Sequence, residues 1–249
     1  MALVAFNHLA KAFEGVRVLD NVTFSVKKGE IFCILGPSGT GKSVTLRHLV
    51  RLLTPTEGHV YYDGIDVGNC SEADLAKVRR RVGFLFQGAA LLAWMTVREN
   101  VALPLQEEGV YSDEEIDQRV DEALESVGLL ADGDKYPNEI SGGMQKRAGL
   151  ARAVVLEPET VLYDEPTSGL DPVTSAHIHA LIRQLNHKLS MTSIIVTHDL
   201  TGALAIADRL ALIADGRVVA MGTPHEFIQS KEPIVQDFLS AMKGVKNES

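Results

Sequence analysis

Alternating apolar and polar positions near the start of the chain predict antiparallel strands. Residues 22–26 read Val-Thr-Phe-Ser-Val, the period-two pattern of a strand with one buried face. A further strand expected at residues 60–62 ends in Asp63-Gly64, a pair typical of tight turns between antiparallel strands. We therefore expect an antiparallel β subdomain in the first part of the chain.

Continuous apolar runs predict a second kind of strand, which is buried on both faces as in parallel sheets. These runs occupy residues 31–35, 82–86, 160–163 and 193–197. Segments with apolar positions at helical spacing lie between them, at residues 44–50, 71–80 and 175–189. The alternation predicts an α/β fold, and a hairpin around Asp215-Gly216 is expected after its last buried strand.

The pattern changes at residue 88. Residues 88–97 are apolar without strand periodicity, and they contain the only tryptophan, Trp94. Helical spacing then dominates, and Ser112 with Glu115 forms a predicted capping box at the start of one helix. We expect a helical insertion in the α/β core.

The chain is thus predicted to be one domain, residues 1–249, with three parts. They are an α/β core with its antiparallel β subdomain at residues 1–87 and 158–222, a helical subdomain at residues 88–157, and a C-terminal tail at residues 223–249. One helix is expected in the tail, near Val235, Phe238 and Leu239.

A phosphate-binding pattern, G-x-x-x-x-G-K-[ST], lies between the expected strand at residues 31–35 and the helix that follows. Its residues, with the next helical position, are Gly36, Pro37, Ser38, Gly39, Thr40, Gly41, Lys42, Ser43 and Val44. The glycines let successive backbone N–H groups point into one concavity, and the helix N-terminus adds partial positive charge. Lys42 is expected to reach the β- and γ-phosphates, and the Ser43 hydroxyl to bind Mg²⁺.

Acidic residues follow the buried strand at residues 160–163, at the end where ligands of open α/β sheets bind. Asp164 can hold Mg²⁺ through its water shell, and Glu165 can orient or deprotonate an attacking water. An Asp-Glu pair alone would carry little meaning. Downstream of a phosphate-binding loop it predicts nucleotide hydrolysis.

A second candidate anion site opens the helix expected at residues 144–156. Ser141, Gly142, Gly143 and Met144 are small or flexible residues whose N–H groups would face an anion at the helix N-terminus. The chain then has two candidate γ-phosphate sites for one nucleotide, which makes sense if the second serves a partner subunit. The alternative is an ordinary helix with a serine N-cap.

Composition and charge exclude several classes. The 249 residues are 45% hydrophobic and 23% charged, as in globular proteins, and the net charge of −9 argues against a nucleic-acid partner. No apolar run is long enough to span a membrane, and the first residues lack the basic region of a signal peptide, so a cytoplasmic protein is expected. The two cysteines, Cys33 and Cys70, suggest no disulfide framework.

Taken in order, the motifs resemble those of the ATP-binding cassette (ABC) ATPases, over nearly the whole chain. The series is the phosphate-binding loop, Gln87, Ile140-Ser141-Gly142-Gly143-Met144, Asp164-Glu165, Ser168-Gly169-Leu170-Asp171 and His198. The resemblance implies a P-loop NTPase fold, an ABC nucleotide-binding domain with ATP and Mg²⁺ as cofactors. The usual signature reads L-S-G-G-Q, and here Ile140 and Met144 replace its first and last members.

The resemblance also implies a role for each motif residue. Phe13 resembles the aromatic that stacks on adenine, with core packing as the alternative. Gln87 resembles the glutamine that senses Mg²⁺ and water, and His198 the switch histidine that contacts the γ-phosphate, so both join Glu165 as catalytic residues. Asp171 resembles the aspartate at the seam of a homodimer. Residues 141–144 resemble the signature that closes on the ATP of the opposite subunit.

A narrower resemblance covers the segment that follows the buried strand at residues 82–86, with the signature and the tail. Its residues are Phe86-Gln87-Gly88-Ala89-Ala90-Leu91-Leu92, Met95-Thr96-Val97, Glu99-Asn100-Val101-Ala102, Pro104-Leu105, Met144, Val235, Phe238 and Leu239. They are similar to the ATPase subunit of the Mla or MCE (mammalian-cell-entry) type of lipid-asymmetry transporter.

That narrower likeness implies movement of phospholipid or another hydrophobic molecule between the membranes of diderm bacteria. The ATPase would be peripheral on the cytoplasmic face of the inner membrane, beside an integral-membrane permease of the MlaE type. A periplasmic MCE-domain protein is a further implied partner, as is, in some family members, a small STAS-domain subunit. The cargo itself and the direction of transport are left open.

Two alternatives stay open for what ATP hydrolysis drives. One is import of an amino acid or another small solute. The other is a soluble cassette protein of DNA repair or translation. Such proteins usually carry two cassettes or long insertions, and this sequence shows neither, so this alternative is disfavoured.

The apolar segment at residues 88–97 also has two interpretations. The side chains of Leu91, Leu92, Trp94 and Met95 are expected either to receive a permease helix or to fill the core of the insertion.

Overall fold

The computed structural model describes residues 2–244, and for residues 241–244 it describes the backbone alone. Part of the predicted C-terminal tail, residues 245–249, therefore lies outside the described residues. The chain forms two compact units, Met1–Val78 with Ile194–Ser249 and Arg79–Ser193. None of the helices in residues 2–244 is both long enough and apolar enough to cross a membrane.

The elements alternate along the chain as the apolar pattern predicts. The strands are β1 (Ala2–Phe13), β2 (Val16–Lys27), β3 (Ile31–Leu35), β4 (Glu57–Tyr62), β5 (Ile65–Asp66), β6 (Val82–Leu85), β7 (Thr160–Asp164), β8 (Thr192–Thr197), β9 (Arg209–Ala214) and β10 (Arg217–Gly222). The helices are α1 (Lys42–Leu49), α2 (Glu72–Arg80), α3 (Val97–Glu108), α4 (Asp113–Ser126), α5 (Gly142–Val154), α6 (Pro172–Leu189), α7 (Leu200–Ile206), α8 (Pro224–Gln229) and α9 (Pro233–Gly244).

The first unit contains the predicted antiparallel β subdomain, a sheet in the order β2-β1-β4-β5. Phe6 of β1 lies opposite Phe24 of β2 and Val60 of β4, and all three side chains are buried. The Phe6 and Phe24 rings stack with centroids 4.5 Å apart, and Phe24 stacks on Phe32 of β3 at 5.1 Å. These apolar contacts join the antiparallel sheet to the strand that precedes the phosphate-binding loop.

A second, mixed sheet in the same unit has the order β10-β9-β3-β8. β3 runs parallel to β9, and the hairpin predicted around Asp215-Gly216 pairs β9 with β10 antiparallel. All five residues of β3 are buried, as expected for a strand covered on both faces. Cys33 lies in this strand as a buried free thiol, and burial raises its pKa far above the ordinary value.

The second unit contains the helical segment. Its strands β6 and β7 pair in parallel, with Val82 opposite Thr160 and Leu85 opposite Tyr163. α3, α4 and α5 pack on one another beside them. The capping box predicted for Ser112 and Glu115 is present at the start of α4.

Two helices begin earlier than their apolar spacing predicts, because a polar residue caps each one. Ser141 is the N-cap of α5, which therefore starts at Gly142 and not at residue 144. Asp171 caps α6 through the N–H groups of Val173 and Thr174, so that helix starts at Pro172 and not at residue 175. The predicted strands and helices are present, and the helix expected near Val235 is α9. Two short helices, α7 and α8, are present where the pattern predicts none, so the tail contains two helices and not one.

Asn100 holds the apolar segment that precedes α3. Its fully buried side chain accepts a hydrogen bond from the Leu92 N–H and donates to the carbonyl oxygens of Leu92, Met95 and Thr96 at 2.9–3.1 Å. The loop so formed turns Trp94 outward, with 75% of the residue exposed. The alternative that Trp94 fills the core of the insertion is therefore wrong, while Leu91, Leu92 and Met95 are half-buried.

Replacing Asn100 with alanine should lower the free energy of unfolding by about 3 kcal/mol, because the hydrogen bonds of a buried amide are lost and their backbone partners stay buried. The loop should also loosen, so the fluorescence anisotropy of Trp94, the only tryptophan, should fall. Thermal unfolding and steady-state anisotropy measure the two effects. Asn138→Ala, at an exposed asparagine of the same unit, is the matched control. Equal stability of the two variants would contradict this account of Asn100.

Candidate functional site

The phosphate-binding loop lies between β3 and α1 in the first unit. Gly41 is the N-cap of α1 and has φ +92°, so the loop enters the helix through a backbone conformation that favours glycine. Lys42 is buried, and its ammonium donates to the carbonyl oxygens of Gly36 and Pro37, each at 2.9 Å. The Thr40 hydroxyl donates to the Pro37 carbonyl at 2.9 Å. The loop thus curves around the Lys42 ammonium and binds it through its own carbonyl oxygens.

Two more predicted residues belong to this unit. His198 is exposed and directly follows β8, while the next residue, Asp199, caps α7 by accepting from the Gly202 N–H at 3.0 Å. Phe13 ends β1 and is 40% exposed, with the Lys11 ammonium 5.1 Å from its ring centroid. Its exposure contradicts the alternative that Phe13 is a core residue.

The carboxylates predicted for catalysis are buried at the end of β7 in the second unit. Asp164 is the last residue of the strand, and Glu165 adopts φ +49°, in the left-handed region that non-glycine residues seldom enter. The Ser168 N–H donates to the Glu165 carbonyl at 3.2 Å and closes the turn. A strained backbone of this kind is common where a side chain has to be held in one direction.

Gln87 lies in a loop that, like the turn at Glu165, contains residues with a left-handed backbone conformation. The side chain is exposed just after β6, and Ala89 and Ala90 both have positive φ, +60° and +50°. The half-buried side chain of Arg152 in α5 donates to the Ala89 carbonyl at 2.6 Å and to the Ala90 carbonyl at 2.8 Å. Lys146, also in α5, donates to the Gln87 carbonyl. Burial lowers the pKa of both basic groups.

Lys146 and Arg152 belong to none of the motifs identified in the sequence. Both lie in the helix expected at residues 144–156, and the structure buries Lys146 and half-buries Arg152, which stands between Ala151 and Ala153. A basic side chain in such a position needs a hydrogen-bonding partner. The sequence does not say which one.

The signature residues begin α5. Ser141 and Gly142 are exposed, Gly143 is buried against Thr174, and the Ser141 hydroxyl accepts from the Met144 N–H at 3.3 Å. The ordinary N-cap of the alternative interpretation is therefore present, and an N-cap serine at an exposed helix start remains compatible with an anion site. Thr174 also donates to Asp171, and the hydrogen bonds at the start of α6 lower the pKa of Asp171.

The predicted site residues divide between the two units. Phe13, residues 36–44 and His198 lie in the first unit, and Gln87, residues 141–144, Asp164, Glu165 and Asp171 lie in the second. Within the second unit, the backbones of Gln87 and Glu165 are brought together on Lys146. The individual roles of these residues stay predictions.

Comparison with known proteins decides the family. A family profile described as ABC transporter matches residues 19–168, more than half of the chain. This protein belongs to the ABC transporter family. As an ABC protein it is an ATPase that hydrolyses ATP for transport, and its fold is the α/β ABC nucleotide-binding domain with an antiparallel β subdomain.

Several curated ABC proteins are similar over most of the chain. A probable ribonucleotide transport ATP-binding protein, mkl, from Mycobacterium tuberculosis is 42% identical over 96% of this chain and 67% of that protein. The methionine import ATP-binding protein MetN of Carboxydothermus hydrogenoformans is 43% identical over 91% and 67%. The intermembrane phospholipid transport ATP-binding protein MlaF of Haemophilus influenzae is 42% identical over 90% and 86%.

A solved ABC structure has the same fold. The ATP-binding cassette MJ0796, in a dimeric post-hydrolysis state bound to ADP and Pi, superposes with a TM-score of 0.81. The two sequences are 36% identical, and the match covers 89% of this chain and 98% of that one. ABC cassettes dimerise and pair with permeases, so the family places this chain in an assembly.

Two glycines of the phosphate-binding loop should respond differently to alanine. At Gly36, with φ +155°, a Cβ would lie 2.3 Å from the Ile213 carbonyl oxygen of β9, whereas at Gly39, with φ +83°, it would meet nothing within 4 Å. Gly39→Ala should cost about 1–2 kcal/mol of stability for its left-handed backbone. Gly36→Ala should cost more, because a strand backbone has to move.

Thermal unfolding without nucleotide measures both costs. Gly39→Ala serves as the matched control, since it changes the same residue type in the same loop. A melting temperature for Gly36→Ala equal to or above that of Gly39→Ala would show that the contact with β9 does not constrain the loop.

Proposed function

We propose that this chain is the ATP-hydrolysing subunit of a transporter for phospholipid or another hydrophobic molecule. In the hydrolysis step, Lys42 and the backbone N–H groups of the phosphate-binding loop hold the phosphates, and Phe13 stacks on adenine. Glu165 orients or deprotonates the attacking water, with Gln87 and His198 beside the γ-phosphate. The observation that supports Glu165 most directly is its burial in a strained turn after β7.

The donor atoms assigned to the metal fit Mg²⁺. They are the Ser43 hydroxyl, the Gln87 side-chain oxygen and the Asp164 carboxylate, and Mg²⁺ prefers oxygen ligands and retains several waters. Asp164 suits a contact through water because its carboxylate sits at the end of a buried strand with little freedom to move. When bound, the ion neutralises negative charge on the phosphates.

We also propose a head-to-tail homodimer. Ser141, Gly142 and Gly143 would then close on the ATP held by the partner subunit's phosphate-binding loop, with Asp171 at the seam. One nucleotide does not need two γ-phosphate sites from one chain, so the exposed start of α5 is accounted for if it acts in trans. The dimeric state described for MJ0796 supports this arrangement.

Changing Glu165 to glutamine should stop turnover and leave ATP binding intact, because only the water-activating carboxylate is altered. A general base contributes about 10²–10⁴-fold, so the rate of phosphate release should fall at least 100-fold. Equilibrium ATP binding and phosphate release are measured on the same preparation. Glu125→Gln, at an exposed glutamate of α4, is the control. Normal turnover in Glu165→Gln would remove Glu165 from its proposed role.

Coupling to a permease is supported by the surface that follows Gln87. A groove of about 450 Å³ in the second unit is lined by apolar side chains that include Phe84, Phe86, Leu103 and Pro104. Ala90 lines one side of this groove, and α3 lines another. The loop held by Asn100 connects these two sides and exposes Trp94. We propose that a cytoplasmic helix of the permease occupies this groove, so that movement at Gln87 passes to the membrane.

The cargo is proposed from the narrower motif resemblance and from the MlaF relative. The segment from Phe86 to Leu105 resembles lipid-asymmetry ATPases, and the phospholipid-transport relative is 42% identical. An MlaE-type permease, a periplasmic MCE-domain protein and a small STAS-domain subunit are the partners this implies, with the ATPase peripheral on the cytoplasmic face of a bacterial inner membrane. Amino-acid import is the second candidate, favoured by the 43% identity to MetN.

Trp94→Ala should leave the subunit as stable as wild type and weaken its co-purification with the permease. An exposed aromatic contributes nothing to the core, and a central aromatic of an interface contributes about 2 kcal/mol or more, roughly thirtyfold in affinity. Val110→Ala, at another exposed apolar residue of the same unit, is the matched control. Unchanged pull-down yield with a large loss of melting temperature would refute the docking role.

Reconstitution separates the two cargo classes. The ATPase is assembled in proteoliposomes with the permease that co-purifies with it, and transfer of a fluorescent phospholipid is compared with uptake of labelled methionine. ATP-dependent lipid transfer that is lost with Trp94→Ala supports the proposal. Methionine uptake without lipid transfer would replace it by the second candidate.

A further inference from the structure

Lys146 is a buried ammonium whose role no motif assigns. It lies in α5, five residues after Ser141, and only 6% of the residue is exposed. Removing an ammonium group from water is costly unless each of its N–H donors finds an acceptor. The hydrogen-bond acceptors of Lys146 therefore indicate why an ammonium group is present at this position.

Its three donors have three acceptors, and these acceptors belong to two loops. The ammonium donates to the carbonyl oxygen of Gln87, to the carbonyl oxygen of Glu165 at 3.1 Å and to the Ser168 hydroxyl at 3.3 Å. A lysine has three N–H donors, so the group is saturated. One side chain thus links the loop after β6 to the connection between β7 and α6.

Both loops contain residues in the left-handed backbone region, which is unfavourable for residues other than glycine. Glu165 has φ +49°, and Ala89 and Ala90, just after Gln87, are also left-handed. Conformations of this kind persist when surrounding contacts determine them. At Glu165 the carbonyl oxygen takes hydrogen bonds from both the Lys146 ammonium and the Ser168 N–H, which fixes the direction of the peptide group.

Charge favours the same arrangement. The carboxylates of Asp164 and Glu165 attract the ammonium and oppose the effect of burial, which lowers the pKa of Lys146. The helix supplies a rigid connection, since the five positions from Ser141 to Lys146 span only about 7.5 Å of helix axis. A displacement of the helix start is therefore passed to the group that holds Gln87 and Glu165.

We propose that Lys146 is a positioning residue for ATP hydrolysis, which orients Gln87 and Glu165 through their backbone carbonyls and ties them to the signature helix. The proposal rests on the roles given above to Gln87 and Glu165. Lys146 touches no reacting atom. It acts by setting the geometry of residues that do, and a displacement of about 1 Å in such residues costs about 100-fold in rate.

The test compares Lys146→Met, Lys146→Arg and Lys188→Met in the full chain assembled with its permease. Methionine keeps the apolar stem of Lys146 without its donors, and arginine keeps a cation with several donors. Lys188 is exposed in α6 of the same unit and provides a matched control. The kcat and KM for ATP, the Kd for ATP and the melting temperature are measured for each variant.

The expected result is a separation of kcat from KM. In Lys146→Met, kcat should fall about 100-fold while KM and Kd for ATP stay within about twofold, because nucleotide contacts are untouched. Lys146→Arg should recover most of kcat, and Lys188→Met should match wild type. If Lys146→Met does not fold, Lys146→Gln replaces it, since a neutral and shorter donor cannot serve all three acceptors.

Other outcomes overturn the proposal. A folded Lys146→Met or Lys146→Gln with wild-type kcat would show that the geometry does not depend on this ammonium. A fall in melting temperature with equal effects on kcat and Kd, and no recovery with arginine, would leave Lys146 a purely structural role. Failure of the Glu165 assignment is detected separately, since it appears as turnover in Glu165→Gln.

Discussion

A polar group that leaves water must be hydrogen bonded, and this requirement determines how the functional loops of the protein are held. Lys42, Asn100 and Lys146 are each nearly or fully buried, and each donates to backbone carbonyls of a loop next to a strand or helix end. Of these three loops, only the one held by Asn100 is rich in apolar side chains. In each loop, hydrogen bonds from the buried group to backbone carbonyls contribute to fixing the conformation.

The fold follows from local patterns, and this explains how much of it the sequence predicts. Period-two alternation marks β2, and a continuous apolar run marks β3, because both patterns record how a strand is covered. Apolar spacing also predicts the longer helices, such as α4 and α6, but not the short helices α7 and α8. The starts of α5 and α6 are not predicted correctly, since Ser141 and Asp171 extend each helix by capping N–H groups ahead of its first apolar position.

The candidate site can be predicted only where its functional residues are consecutive or close together in the sequence. The phosphate-binding loop and the Asp164-Glu165 pair have such patterns. The contacts of Lys146 and Arg152 do not, because their partners Gln87 and Ala89 lie 59 and 63 positions away in sequence. The sequence pattern also does not reveal whether an apolar side chain is exposed to solvent. Phe13 and Trp94 are both large and apolar, and only tertiary structure shows that each faces outward.

The basic residues of α5 differ in kind from those that form surface ion pairs. Arg98 pairs with Asp121, and Arg80 with Glu108, so these charges are compensated at the surface. Lys146, Arg147 and Arg152 donate to backbone carbonyls instead. A carbonyl satisfies a donor without cancelling its charge, and the field of Lys146 therefore still acts on Asp164 and Glu165.

That difference bears on how an acidic protein can bind a polyanion. The net charge is −9, and the carboxylates of Asp164 and Glu165, to which we assign roles in hydrolysis, are buried. Their charge opposes the approach of a nucleotide triphosphate unless a cation offsets it. The Lys146 ammonium, held by two carbonyl oxygens and a hydroxyl, supplies positive charge near both carboxylates. An apolar residue in place of Lys146 would supply neither this charge nor the three hydrogen bonds.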